Sequence, residues 1–187
     1  FERSVKKAGI KVMTNSSVES VDTSGDGVKA KVKTKKGEET LEADIVLSAV
    51  GIKTNIENIG LEELGIKTDK DKIVVDDFYK TNKDGIYAIG DVVHGPALAH
   101  VASAEGIICV EKIKGMNVQP LDYGNIPGCT YATPEIASVG MTEKQAKEAG
   151  YEIKVGKFPF SASGKAKAAG KSDGFVKVIF DAKYGEW

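Results

Sequence analysis

Gly85-Ile-Tyr-Ala-Ile-Gly-Asp-Val-Val-His-Gly-Pro-Ala-Leu-Ala-His100 is the stretch around which the rest of the chain is read. Its apolar run, Ile86 to Ile89, lies between glycines and is too short for a helix, which predicts a buried strand. Asp91 follows Gly90 at once, so an acceptor-only carboxylate sits at the strand end, where open α/β sheets hold their ligands. Gly90 permits close approach to the backbone. Gly95-Pro96 then breaks the chain, and Pro96 is read as the first residue of a long helix, a position where its missing N–H costs nothing. The small residues Ala97 and Ala99 leave the first N–H groups of that helix sterically open. Such a terminus suits an anion, or a group that gains negative charge during reaction.

A flavin gains electron density along its carbonyl edge on reduction, so a carboxylate followed by a helix start suits both its sugar hydroxyls and its ring. The run Tyr87-Ala-Ile-Gly-Asp91, joined to Gly95-Pro-Ala-Leu-Ala-His100 and Glu105-Gly106, resembles the flavin motif of the pyridine-nucleotide disulfide oxidoreductases. Within them it is most similar to the dihydrolipoamide dehydrogenases, and the resemblance extends over essentially all 187 residues. It implies FAD and NAD as cofactors. Asp91, Ala97, Leu98, Ala99 and His100 match FAD-contacting positions, and Val18 and Gly51 match NAD-contacting ones. On the residues alone, Gly51 reads equally well as a turn glycine and Val18 as a core valine. Glu105 either hydrogen-bonds near the flavin or sits at the edge of the helix's apolar stripe, and its spacing favours the edge.

Outward from this stretch, Ile10–Thr14, Val18–Thr23, Val28–Thr34 and Glu38–Ala43 predict a small antiparallel meander. Val28, Ala30 and Val32 alternate with lysines, and Ser24-Gly-Asp-Gly27 and Lys35-Lys-Gly37 are turn chemistry. Ile45 to Val50 predicts a strand covered on both faces. Relatives usually carry Val-Gly-Arg-x-Pro-Asn here, whereas this chain has Val50-Gly-Ile-Lys-Thr-Asn55, leaving Lys53 as a replacement charge without a guanidinium fork. Leu61–Leu64 reads as a helical turn, Lys67–Lys72 as a loop and Ile73–Val75 as a strand. Leu98, Val101, Ala102, Ile108 and Cys109 repeat at helical spacing up to Gly115. Gly, Asn and Pro then cluster without periodicity, which places a domain boundary near Pro120. Beyond it, Cys129–Ala132, Ile136–Val139, Tyr151–Phe158 and Phe175–Phe180 read as strands, and Thr142-Glu-Lys-Gln145 as a capping box. The lysines of Ser161–Ser172 lack phosphate-loop spacing and read as a solvated run.

The fold class expected is mixed α/β and α+β. Residues 1–54 would be the end of an NAD-binding domain with its meander, 55–118 a central FAD-contacting segment, and 119–187 the first part of an α+β interface domain that pairs two subunits. Phe1 in place of an initiator Met, and a helix tail at Glu2–Ala8 without a start, read as an internal segment of a longer chain.

With 26 basic and 27 acidic residues the net charge is -1, so no global field recruits nucleic acid or an anionic membrane. No apolar run is long enough to span a bilayer. Cys109 and Cys129, twenty positions apart, form neither a redox pair nor a zinc site and read as two buried thiols. His94 and His100 have no ligand cluster, so no metal is expected.

The resemblance implies electron transfer from dihydrolipoamide, through a cysteine pair and FAD, to NAD, in service of a 2-oxoacid dehydrogenase or glycine cleavage complex. A cytoplasmic location follows, or the mitochondrial matrix in a eukaryote. Neither Gly-x-Gly-x-x-Gly fingerprint, nor the Cys-x-x-x-x-Cys pair, nor the His-x-x-x-x-Glu dyad occurs in these residues, so no catalytic residue is assigned and the segment alone is expected to be inactive. The alternatives are another disulfide reductase of the family, of the glutathione or mercuric type, and a non-catalytic module that dimerises or binds a nucleotide.

Overall fold

The computed structural model describes residues 1–187. In chain order the elements are α1 (Glu2–Lys7), β1 (Ser17–Asp22), β2 (Val28–Thr34), β3 (Gly37–Ala43), α2 (Leu61–Leu64), β4 (Thr68–Asp69), β5 (Lys72–Ile73), α3 (Ala99–Ile113), β6 (Gly128–Thr130), β7 (Ile136–Ser138), α4 (Glu143–Glu148), β8 (Ile153–Pro159), α5 (Gly164–Ala168) and β9 (Phe175–Asp181). Strands β1–β2–β3 form one sheet; β4–β5, β6–β7 and β8–β9 form two-stranded pairs. The fold is therefore mixed α/β with antiparallel sheets, as the sequence predicts. The chain divides into two units: Phe1–Gly51 with Tyr131–Ile136 and Lys157–Lys177, and Ile52–Thr130 with Ala137–Gly156 and Val178–Trp187.

In the first unit the meander forms where the alternation places it. Ala30 and Val32 are buried on one face of β2, while Lys29 and Lys31 reach Glu42 and Glu38 of β3 on the other. A two-residue period with one dry face fixes this register, because a slip of one residue would carry every lysine inward. The register of β1 against β2 shifts between Val18 and Ser20.

Two predicted strands of the first unit do not form. Ile10–Thr14 is irregular and leads into Asn15 at φ 54°; Ile45–Val50 has no ladder at all. A strand exists only where a neighbour accepts its N–H and C=O groups, and none within these residues does so for Ile45–Val50. Its side chains are accordingly exposed, Leu47 at 86% and Val50 at 96%.

The second unit is built on Ile56, Leu61, Ile66 and Ile73, with Val75, Ile86, Ala88 and Val92 packed around them. Ile86–Ile89 is extended rather than a full strand. Its partners are the Tyr79–Thr81 backbone, through Ala88 N–H to Tyr79 O and Thr81 N–H to Ile86 O, each at 3.0 Å, so it is paired along one side only. Tyr87 and Ile89 stay exposed, and the predicted burial holds only for the half-buried Ile86 and Ala88. Likewise Ile73–Val75 keeps strand pairing only at Ile73, in the hairpin β4–β5. Thr54 is buried and closes that hairpin, its N–H donating to Asp71 Oδ2 at 3.1 Å and its hydroxyl to the Asp71 carbonyl.

Helix α4 carries the capping box read from the sequence. Gln145 N–H donates to Thr142 Oγ1, and Thr142 N–H donates to Gln145 Oε1 at 2.9 Å. Removing the first bond by Thr142→Ala is expected to cost about 1 kcal/mol, measured as a lower denaturant midpoint at unchanged slope.

The hydrogen bond from Thr54 N–H holds the Asp71 carboxyl below its ordinary value of 3.8. Because the folded value is depressed, the contribution is complete above 3.8 and is lost as pH falls through the folded value. Asp71→Asn is expected to flatten this part of the acid limb, read from unfolding midpoints between about pH 5 and about pH 2.

Candidate functional site

Asp91 lies in a single turn of 3-10 helix, Gly90–Val92, whose position is set from three directions. Val93 bridges Ile73 in parallel, and Lys72 Nζ donates to the Asp91 carbonyl at 2.5 Å. On the third side Gly90 lies against α3: its φ is +74°, and a Cβ there would stand 3.2 Å from the Ala102 Cβ. Only glycine accepts both that dihedral and that approach without strain. The Asp91 side chain itself is exposed.

Helix α3 starts at Ala99, later than the Pro96 expected from the sequence. The reason is visible in the backbone. Leu98 is extended at φ −134° and its N–H turns back to the Pro96 carbonyl at 2.9 Å, so Gly95–Leu98 is a bend leading to the helix. Leu98 offers no side-chain cap, no acid lies in the first turn, and the N–H groups of Ala99 and His100 have no acceptor within the chain. Ala97, Ala99 and His100 are exposed and Leu98 is half-buried. A carboxylate beside an uncapped helix start with small side chains fits a ligand that offers hydroxyl donors together with an electron-accepting edge.

The residue that organises this arrangement is Glu105. It is 1% exposed, which corrects its reading as the edge of the apolar stripe. Its Oε2 accepts the Gly90 N–H at 2.6 Å and its Oε1 accepts the Tyr123 hydroxyl at 2.6 Å. Tyr123 has one proton, taken by the shorter contact, so the Tyr79 hydroxyl at 3.3 Å donates to Tyr123. Burial, and then the hydrogen bond to Glu105, raise the Tyr123 phenol well above its usual value; burial raises Tyr79 as well. Tyr79 is held at φ +68° inside a loop whose Asp76 Oδ1 accepts the Phe78 and Lys80 N–H groups. The Tyr123 ring also lies on Gly95, where a Cβ would come within 3.0 Å of Cε1.

Sequence periodicity gives the helix face of Glu105 but not its partners, which lie 15 and 18 positions away. Tyr123 was legible only as part of an aperiodic stretch.

The residues matched to NAD lie in the first unit. Val18 is 59% exposed on β1, beside the register shift, so it is no core valine. Gly51 has φ +120° and nothing within 4 Å of a built Cβ, which is a backbone open to close approach. Lys53 forms an exposed ion pair with Glu57. Cys109 is buried, with its thiol pushed up by burial, whereas Cys129 is exposed, so only one of the two thiols is inside. His94 Nε2 lies 3.2 Å from Asp69 Oδ2, and no helix is long and apolar enough to cross a membrane.

Comparison with known proteins places the chain in a family. Residues 1–106 match the family model described as pyridine nucleotide-disulphide oxidoreductase, and residues 126–186 match its dimerisation domain. Among curated proteins, a dihydrolipoyl dehydrogenase of Rhizobium etli is 52% identical over 186 residues, covering 98% of this chain and 39% of its own length. The mitochondrial dihydrolipoyl dehydrogenase of Pisum sativum is 47% identical over 182 residues, covering 96% and 36%. Among solved structures, LpdA of Mycobacterium tuberculosis superimposes with a TM-score of 0.87 at 28% identity, covering 98% of this chain and 40% of its own. The HOCl-induced flavoprotein disulfide reductase RclA of Escherichia coli gives 0.86 at 27%, covering 97% and 41%. The chain thus spans about two fifths of the length of the relatives it matches.

Gly90→Ala is expected to lower stability by about 1–2 kcal/mol from the left-handed dihedral alone, with a further loss from the Ala102 contact. Gly85→Ala, with a similar φ of +79° and open space around its Cβ, isolates the dihedral cost. Denaturant midpoints of the two variants should differ, with Gly90→Ala the lower.

Proposed function

The chain belongs to the pyridine nucleotide-disulphide oxidoreductases, and from that premise we propose that it is part of a dihydrolipoyl dehydrogenase, contributing half of a flavin site and the rim of a nicotinamide nucleotide site. The observation that carries the reading is the Gly90–Asp91 turn locked against the uncapped start of α3. FAD and NAD are the cofactors. Bound FAD supplies the two-electron relay between a dithiol and NAD.

The chain's own residues bind and orient. The Asp91 carboxylate accepts from hydroxyls of the ribityl chain. The free N–H groups of Ala99 and His100, with the positive dipole end of α3, would favour the flavin's added electron density on reduction, and Ala97 and Leu98 of the preceding bend would lie against the same group. Lys72 holds the Asp91 backbone and leaves its side chain free. Val18 and Gly51 line the NAD rim, with Gly51 offering bare backbone to the nucleotide. No catalytic thiol or base is assigned to these residues.

The domain reading follows the same premise: 1–54 closes an NAD-binding domain, 55–118 is the FAD-contacting segment, and 119–187 begins an interface domain that pairs two subunits. The match of residues 126–186 to a dimerisation domain supports a homodimer. The substrate is dihydrolipoamide carried on a 2-oxoacid dehydrogenase or glycine cleavage complex, in the cytoplasm or, in a eukaryote, the mitochondrial matrix. A second reading, a related disulfide reductase, draws on the likeness to RclA. The higher identities, 52% and 47%, belong to dihydrolipoyl dehydrogenases and favour the first. Turnover of dihydrolipoamide with NAD, against that of other disulfides, separates the two.

In the full-length enzyme, Asp91→Ala is expected to lower flavin content several-fold, read as visible absorbance per protein. An unchanged content would remove Asp91 from the site. These 187 residues alone are expected to show no turnover and to bind little FAD, because they carry no pyrophosphate-binding fingerprint; stoichiometric yellow colour in them would contradict this.

A further inference from the structure

A carboxylate that is 1% exposed and pairs with no Lys, Arg or His is costly to keep, since desolvation of a lone charge amounts to several kcal/mol. Glu105 sits in that condition in the second turn of α3, and both of its oxygens are used for position. One takes the N–H of Gly90, the residue directly before Asp91. The other takes the hydroxyl of Tyr123, whose ring lies on Gly95. The loop from Gly90 to Gly95, which carries Asp91 and leads into the helix start, is therefore held at its first residue by the carboxylate and at its last by the ring.

We propose that Glu105 and Tyr123 are a positioning pair that sets flavin affinity by fixing the Asp91 turn relative to the first residues of α3; this rests on the reading of Asp91 as a flavin ligand. Neither residue touches the cofactor. Each acts through backbone that does, so a shift of a few tenths of an ångström in Gly90 moves the carboxylate out of register with the helix N–H groups. Tyr79 completes the arrangement by donating to the Tyr123 oxygen, so both hydroxyl protons have acceptors.

The test uses the full-length enzyme stripped of flavin. FAD affinity is measured by quenching of flavin fluorescence, and the melting temperature of each apoprotein is measured beside it. Glu105→Ala is expected to weaken FAD about tenfold or more, and Tyr123→Phe about threefold to tenfold, each beyond what the accompanying loss of apoprotein melting accounts for. Glu105→Gln keeps an acceptor for Gly90 N–H and is expected to restore most of the affinity lost in Glu105→Ala. A folded Glu105→Ala protein with wild-type FAD affinity would overturn the proposal. If Glu105→Ala does not fold, Tyr123→Phe decides: wild-type affinity there overturns it equally, and binding weaker than its loss of melting accounts for supports it. Losses of affinity that only follow losses of apoprotein melting also overturn it, because that is what a purely structural role predicts. Asp91→Ala keeps the two questions apart. Wild-type affinity in that variant sinks the flavin reading itself, whereas weak binding there with normal binding in both Glu105→Ala and Tyr123→Phe sinks only the positioning pair.

Discussion

The contact on which the second unit depends is the one between the Gly90–Val92 turn and helix α3. A turn can approach a helix that closely only if it brings no side chain to the contact, and the 3.2 Å left for a Cβ beside Ala102 shows how little room there is. The approach removes the Gly90 N–H from water, and a buried donor without an acceptor costs about 1–3 kcal/mol. Glu105 supplies that acceptor from the same helix. Gly106, next along, leaves space in turn for Ile89, whose Cδ1 would meet a Cβ at 3.1 Å. Helix and turn are thus fitted to each other at consecutive positions, and the exposed Asp91 carboxylate is carried on the result.

Sequence reasoning reaches some of this and stops at a definable point. Local rules located β2 to the residue, because Val28, Ala30 and Val32 alternate with lysines over a single dry face. They located the α4 cap, because a capping box is a contact between residues three apart. They placed α3 well but started it at Pro96, since proline's fitness for a first helical position says nothing about whether Leu98 will bend back to it. Ile86–Ile89 and Ile45–Val50 have strand composition and yet are not ladders here, because composition reports burial and pairing depends on neighbours that lie elsewhere in a chain. Glu105 and Tyr123 were beyond reach for the same reason. Their meaning lies in partners at long separation, and a carboxylate on the border of an apolar stripe looks alike whether it faces water or a peptide N–H.

The two thiols make the point in miniature. Cys109 repeats with Val101 and Glu105 on the buried face of α3, and periodicity foretold its burial. Cys129 sits on β6, a three-residue strand of a two-stranded pair, where period two gives no guide to which face is covered. It is exposed.

The division of labour between Asp91 and α3 also has a physical cause. A serine, threonine or aspartate at the helix cap would have satisfied a first-turn N–H and added about 1 kcal/mol of stability. Leu98 forgoes that, so the N–H groups of Ala99 and His100 are not consumed within the chain. An acid in the first turn would likewise have cancelled the dipole end that faces outward. In the proposed flavin site, delivering the carboxylate from a separate turn would give negative charge for hydroxyl donors and leave the positive helix end for an electron-accepting edge. The cost is that their spacing is no longer set by the helix itself, and a second acid, the buried Glu105, holds the turn in place.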